Sequence, residues 1–241
     1  MKKKKFSRYV SLAVVFSLAV LFVAKSAGPS LLRLYIETGI GTCQKIPILC
    51  MAPSQGITNP GINKEYATGL LLYRFPKIEI SLPRGFTVVQ ETIKKVYYKR
   101  RHRGHEGAVI YLLYEEPDFF INLFPQLKKQ GIPDDYEFIK HTMQAKIEEM
   151  QDLNDAFFVI MKGIFTPDLG EQKQVKMAQF AMSDKKGFIN YNLNKSGNYF
   201  DCNIIDKAGD FFKIYIKDKS ASLSLDNVLA IISTVGKPGN Y

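Results

Sequence analysis

Short joints marked by glycine and proline constrain this chain more than any other feature. They are Thr166-Pro-Asp-Leu-Gly170, Ser183-Asp-Lys-Lys-Gly187, Lys195-Ser-Gly197 and Lys207-Ala-Gly209. Between and around them lie five apolar segments: Ala156 to Phe165, Gln174 to Met182, Gly187 to Leu193, Tyr199 to Ile205 and Phe211 to Ile216. Joints of this length cannot carry a crossover, so successive segments must return beside one another as antiparallel strands. The expectation is an antiparallel meander over the last third of the chain.

Earlier segments read as further strands. Lys77 to Leu82 alternates polar and apolar residues and stops at Pro83-Arg84-Gly85. Thr92 to Lys99 and Ala108 to Glu115 are rich in tyrosine and valine and can pair as a hairpin. Phe119 to Phe124 follows Pro117-Asp118 as another apolar piece. The period then changes. Pro133-Asp134-Asp135 opens a helix with acids in its first turn, and Tyr136, Ile139, Met143, Ile147 and Met150 form its apolar stripe. A closing helix runs from Leu225 to Val235, with Ser224 as N-cap and Gly236 and Pro238 as stops.

At the other end, Met1 to Arg8 is basic, and Val10 to Ala24 carries no charge before Lys25. A cleaved signal peptide fits, with Ala24-Lys25-Ser26 as cleavage site. An uncleaved anchor fits better, because a lysine in the middle of a cleavage site is poor and Lys25 and Arg33 could snorkel. Under either reading positive charge stays inside. The expected location is the cell membrane, single-pass, with the N-terminus in the cytoplasm and the C-terminal domain outside; if cleaved, the domain is periplasmic or secreted.

The organisation expected is therefore a basic tail and membrane or signal helix over 1–38, a Cys/Pro/Gly-containing linker over 39–69, and an extracytoplasmic domain over 70–241. Its fold class is α+β: a mainly antiparallel sheet with one mid-chain helix and one C-terminal helix. In an oxidising compartment Cys43 and Cys50, separated by six residues that include Pro47, are expected to form a disulfide, although two separate buried thiols remain the alternative. Cys202 reads as a small core residue of a strand.

The order of elements over Lys77–Val235, with Ile80-Ser-Leu-Pro-Arg-Gly-Phe86 and the helix Leu225–Val235, resembles the PsbP-like α/β/α sandwich superfamily. Phe86 stands where that family usually has Trp. The resemblance implies a binding or accessory module and carries over no functional residue.

Charge is unevenly placed. Of 33 Lys and Arg against 23 acids, six bases fall in the N-terminal segment and six more between Lys94 and Arg103, which leaves 21 for the rest. The basicity is local, which argues against nucleic acid as partner. Lys94, Lys95, Lys99, Arg100, Arg101 and Arg103 form the candidate patch for an anionic partner: anionic lipid, an acidic glycan or an acidic protein. A solvated loop neutralised by Glu91, Glu106, Glu115 and Glu116 is the plain alternative. Tyr97 and Tyr98 could add contact area.

His102, His105 and Glu106 have the donor types of a zinc site, but four surrounding bases oppose a dication, so no metal is expected. No nucleophile elbow, HExxH, P-loop or CxxC occurs, and no catalytic residue or cofactor is expected. The function these observations imply is a membrane-tethered or secreted, non-enzymatic binding or accessory domain. An extracytoplasmic enzyme of unrecognised type and a structural subunit of a membrane complex are the alternatives.

Overall fold

The computed structural model describes residues 28–61, 64–102, 105–170 and 174–239. The apolar run of residues 10–24 lies outside them. Among the described residues no helix is long and apolar enough to cross a membrane.

The described residues form ten strands and six helices. In order they are α1 (residues 28–39), β1 (Gln55–Thr58), α2 (Lys64–Thr68), β2 (Leu71–Arg74), β3 (Glu79–Leu82), β4 (Phe86–Glu91), β5 (Lys95–His102) and β6 (His105–Glu115). Then come α3 (Phe119–Leu123), α4 (Asp135–Gln144), α5 (Leu153–Phe165), β7 (Lys176–Ala181), β8 (Lys185–Asn194), β9 (Gly197–Asp206), β10 (Phe211–Asp218) and α6 (Leu225–Thr234). Eight strands form one sheet in the order β1-β7-β8-β9-β10-β6-β5-β4, and β2 and β3 form a separate hairpin. Among the described residues only the β1–β7 pairing is parallel. The class is α+β with a mainly antiparallel sheet, as the joints require.

The sheet has two differently covered faces. On one, α6 and the β2–β3 hairpin bury Tyr98, Ile110, Tyr114, Phe180, Phe200 and Phe212. On the other, α3, α4 and α5 bury Phe188 and Met177 beneath Phe120, Phe138 and Phe158. Of these helices α4 contacts β8 and β9, and α3 reaches the start of β10, where the Phe120 ring meets that of Phe211 at 5.0 Å. The half of this face on β4, β5, β6 and the rest of β10 is the less covered one. Ser224 caps α6 by accepting from the Asn227 N–H at 3.2 Å.

Three expectations are corrected. Ala156–Phe165 is not a strand but most of α5, so the meander has four strands, β7 to β10. Its aromatic and β-branched run has strand-like composition, yet Asp152 accepts from the N–H groups of Asn154 and Asp155 at 2.8 and 2.9 Å and starts a helix there. The single mid-chain helix is instead three, because α3 and α5 are helical beside α4. Finally, α4 stops at Gln144 rather than reaching Met150. The Ala145 carbonyl accepts from the Lys162 amine at 2.8 Å instead of continuing the helical ladder. Ile147 and Met150 remain buried, the former on a 3-10 turn.

Part of the stretch 39–69 packs into the fold. It supplies β1 as an edge strand, and Ile48 and Leu49 on a 3-10 turn are completely buried. Cys43 and Cys50 form the disulfide, with Cα atoms 5.7 Å apart. Cys202 is buried and free. Lys162, wholly buried, donates to the Met51 and Ala145 carbonyls and so fastens this segment to the α4–α5 connection. Burial, reinforced by the charge of Lys146, pulls its amine down to about 7.

Candidate functional site

The less covered half of this face is built by alternation. In β10, Phe212, Ile214 and Ile216 point into the core under α6, so Lys213, Tyr215 and Lys217 point to the other face. In β5, Val96 and Tyr98 are buried, which sends Lys95, Tyr97, Lys99 and Arg101 to that same face. Strand register then aligns these side chains into rows. Tyr97 is opposite Tyr111, and Tyr111 is opposite Tyr215. On one side of this row lie Lys95, Leu113 and Lys213; on the other lie Lys99, Val109 and Lys217. A row of tyrosines is thus bordered on each side by two lysines that flank an apolar residue.

The tyrosine rings stand on edge. Tyr97 and Tyr111 have centroids 4.5 Å apart with planes 16° from parallel, and Tyr111 and Tyr215 are 6.0 Å apart and tilted by 30°. Two rings cannot lie flat side by side at 4.5 Å. Tyr97 and Tyr111 stack face to face along the strand-to-strand direction, so their edges face outward; their hydroxyls bond each other. An aromatic edge is the positive end of the ring quadrupole. Tyr111 is 49% exposed, and a groove of about 400 Å³ runs over the row from Gln90 and Thr92 to Lys213 and Tyr215.

The far wall is the loop after α5. Tyr215 donates to the Asp168 carbonyl at 2.7 Å, and Lys213 donates to the Phe165 carbonyl at 2.8 Å. Gly170 lies against the Tyr199 ring, where an added Cβ would come within 2.8 Å. Below the wall the sheet turns polar but closed. Asp201 is fully buried, with Lys213 2.6 Å from its Oδ1 and Asn190 donating to Oδ2 at 3.2 Å. Burial holds the Asp201 carboxyl above the usual range against the pull of Lys213.

The six bases of the sequence patch are distributed by the same alternation. Lys94 pairs with Glu115 at 2.7 Å. Lys99 reaches Glu106 at 3.9 Å, and Glu106 is held more closely by Lys219 at 2.8 Å. That hydrogen bond keeps the Glu106 carboxyl below its usual range. Arg100 turns to the opposite side, stacks over Phe86 at 5.1 Å and donates to Ser222 at 2.7 Å. Lys95 and Arg101 are exposed and make no ion pair with the described residues. Arg103 lies outside the described residues. Tyr98 is buried against Tyr73 and Phe75, and only Tyr97 of the pair faces the groove.

Tyr111, Tyr215, Lys213 and Lys217 belong to this face and were not among the sequence candidates. The strict alternation of Phe211-Phe-Lys-Ile-Tyr-Ile-Lys-Asp218 carries the signal for three of them. The backbones of His102 and His105 pair across the hairpin, and Glu106 is engaged by Lys219 and Lys99. Elsewhere Cys43, Cys50 and Glu148 offer ligand atoms within 4.8 Å of one another. The two sulfurs are joined to each other, which leaves no thiolate to bind a cation.

No family model matches the chain. No curated protein matches it either. Among solved structures it is similar to one from Bacteroides thetaiotaomicron VPI-5482, crystallised at 1.50 Å resolution, with 9% identity and a TM-score of 0.30. That likeness covers 70% of this chain, and the chain spans about half, 48%, of that structure's length.

Proposed function

We propose that this chain is a membrane-tethered, extracytoplasmic, non-enzymatic domain that binds an acidic glycan through the tyrosine–lysine face. The observation that carries the reading is the row Tyr97, Tyr111 and Tyr215 with Lys95, Lys99 and Lys217 beside it on the less covered half of the sheet. Ring edges favour negative charge, and the lysines supply the counter-charge to carboxylates or sulfates. The lysine run and the uncharged segment Val10–Ala24 support the tether and the outside location. The resemblance of Lys77–Val235 to the PsbP-like superfamily fits an accessory role.

Polygalacturonate, a carboxylate polymer, is the probe for the test. Binding by the full chain in neutral vesicles is expected to weaken as salt rises. Replacing Lys95, Lys99 and Lys217 by Gln should remove most of it, since each base near an anionic surface contributes on the order of 1 kcal/mol. Arg100→Gln should change little, because Arg100 faces Phe86 and Ser222. Equal losses from both sets, or none from the lysine set, would leave a solvated surface.

A further inference from the structure

A second surface lies on the helix layer. One stripe of α1, formed by Leu32, Ile36 and Ile40, packs into the cluster of Leu49, Ala156 and Val159. A second stripe does not pack. Leu31, Leu34 and Tyr35 are 64%, 57% and 71% exposed, and Leu153 at the start of α5 is 73% exposed. Leu31 and Leu153 line a mostly apolar groove of about 1020 Å³ between α1, α5 and the 3-10 turn Pro125–Gln130. Scattered exposed leucines need no explanation, whereas a contiguous apolar patch of this kind marks an interface.

The position of the patch in the chain names what covers it. Gly28, at the groove, stands four positions after Ala24, the end of the uncharged apolar run. Four residues reach at most about 14 Å when fully extended. Wherever residues 10–24 sit in a bilayer, α1 is therefore held within that distance of the lipid, at high effective concentration.

We propose that the helix layer rests on the membrane, with Leu31, Leu34, Tyr35 and Leu153 set into the boundary between head groups and acyl chains. This rests on the reading of residues 10–24 as a membrane tether. Tyrosine suits that boundary because its ring is apolar and its hydroxyl polar. Lys128 and Lys129, on the turn that lines the groove, are exposed and make no ion pair with the described residues, and they meet lipid phosphates. The domain is thereby oriented on the bilayer and is not swinging on a leash.

The chain contains no Trp, so a single introduced Trp reports its own depth. Full-length Tyr35→Trp and Leu153→Trp variants are placed in vesicles whose phospholipids are brominated on the acyl chains. Emission is expected to fall roughly twofold for both, as for a ring held about 5–10 Å into the head-group boundary. Leu193→Trp, at the end of β8 on the opposite face of the sheet, should keep its emission. Val15→Trp tests the tether. If it is quenched while Tyr35→Trp and Leu153→Trp are not, the tether stands and the docking is wrong. If Val15→Trp is not quenched either, the tether reading falls with it. Blue-shifted but unquenched emission at Tyr35→Trp would mean that protein, not lipid, covers the patch. Equal quenching at Leu193→Trp would mean non-specific adsorption and would overturn the assigned orientation.

Discussion

Lys162 gives the sharpest test of the fold, because its amine titrates in a convenient range. Its ordinary value is 10.5, and in the folded protein burial lowers it to about 7. Between those values the unfolded chain binds a proton that the folded chain has given up, so stability rises with pH. From pH 7 to pH 9 the unfolded chain's excess of bound protons corresponds to about 2 kcal/mol of added stability at 1.36 kcal/mol per pKa unit. Lys162 is wholly buried, so solvent screening does not diminish the effect. Cys202, whose thiol is pushed up by burial, acts oppositely near pH 9, by less than about 0.5 kcal/mol. The assay is urea unfolding followed by far-ultraviolet circular dichroism at several pH values for the parent and for Lys162→Met. The variant retains Cys202, so the difference between the two profiles isolates Lys162. The parent should gain stability over this window, and the variant should be flat or fall slightly. Parallel profiles would refute the assignment of a low-titrating buried amine.

Three further outcomes are expected. Reducing Cys43–Cys50 releases a loop of eight residues and should lower unfolding stability by about 2.5 kcal/mol, read from melts with and without reductant; unchanged melts would show that the packing of Ile48 and Leu49 alone holds the segment. Lys213→Met leaves the buried Asp201 carboxylate without its partner and should cost about 3 kcal/mol, with much of the loss recovered in the double variant Lys213→Met/Asp201→Asn; equal stability of the single and double variants would argue against the pairing. Gly187→Ala should be among the most destabilising small changes in the protein, about 3 kcal/mol or more, because its Cβ would fall 2.0 Å from the Asn203 carbonyl oxygen of the neighbouring strand.

The parts legible in the sequence were those fixed locally. Glycine-marked joints gave β7 to β10 because their geometry depends on a few adjacent residues, and Ser224 gave the start of α6 for the same reason. Helix α5 was hidden because Phe157-Phe-Val-Ile160 has the composition of a strand. Its identity rests on one capping aspartate and on Lys162, a charged residue at a buried position. The tyrosine row was half legible. Tyr97 and Tyr111 share a hairpin, but Tyr215 joins them only through a pairing between strands 104 residues apart at that row. The basic stretch was visible, whereas its division between two faces followed from register and a bulge between Arg100 and Arg101.

Strand β10 pairs with β9 on one side and β6 on the other, which makes it the keystone in the order of folding. Hairpin β4–β6 and meander β7–β9 each close locally and can form early. Each then presents a bare edge, β6 with Ile110 and Leu112 beside it and β9 with Phe200 and Ile204. Neither edge is covered until residues 211–218, the last strand of the sheet in chain order, arrive. Chains that stop before Phe211 are therefore expected to leave two half-sheets with sticky edges, the kind of species that aggregates or is held by chaperones.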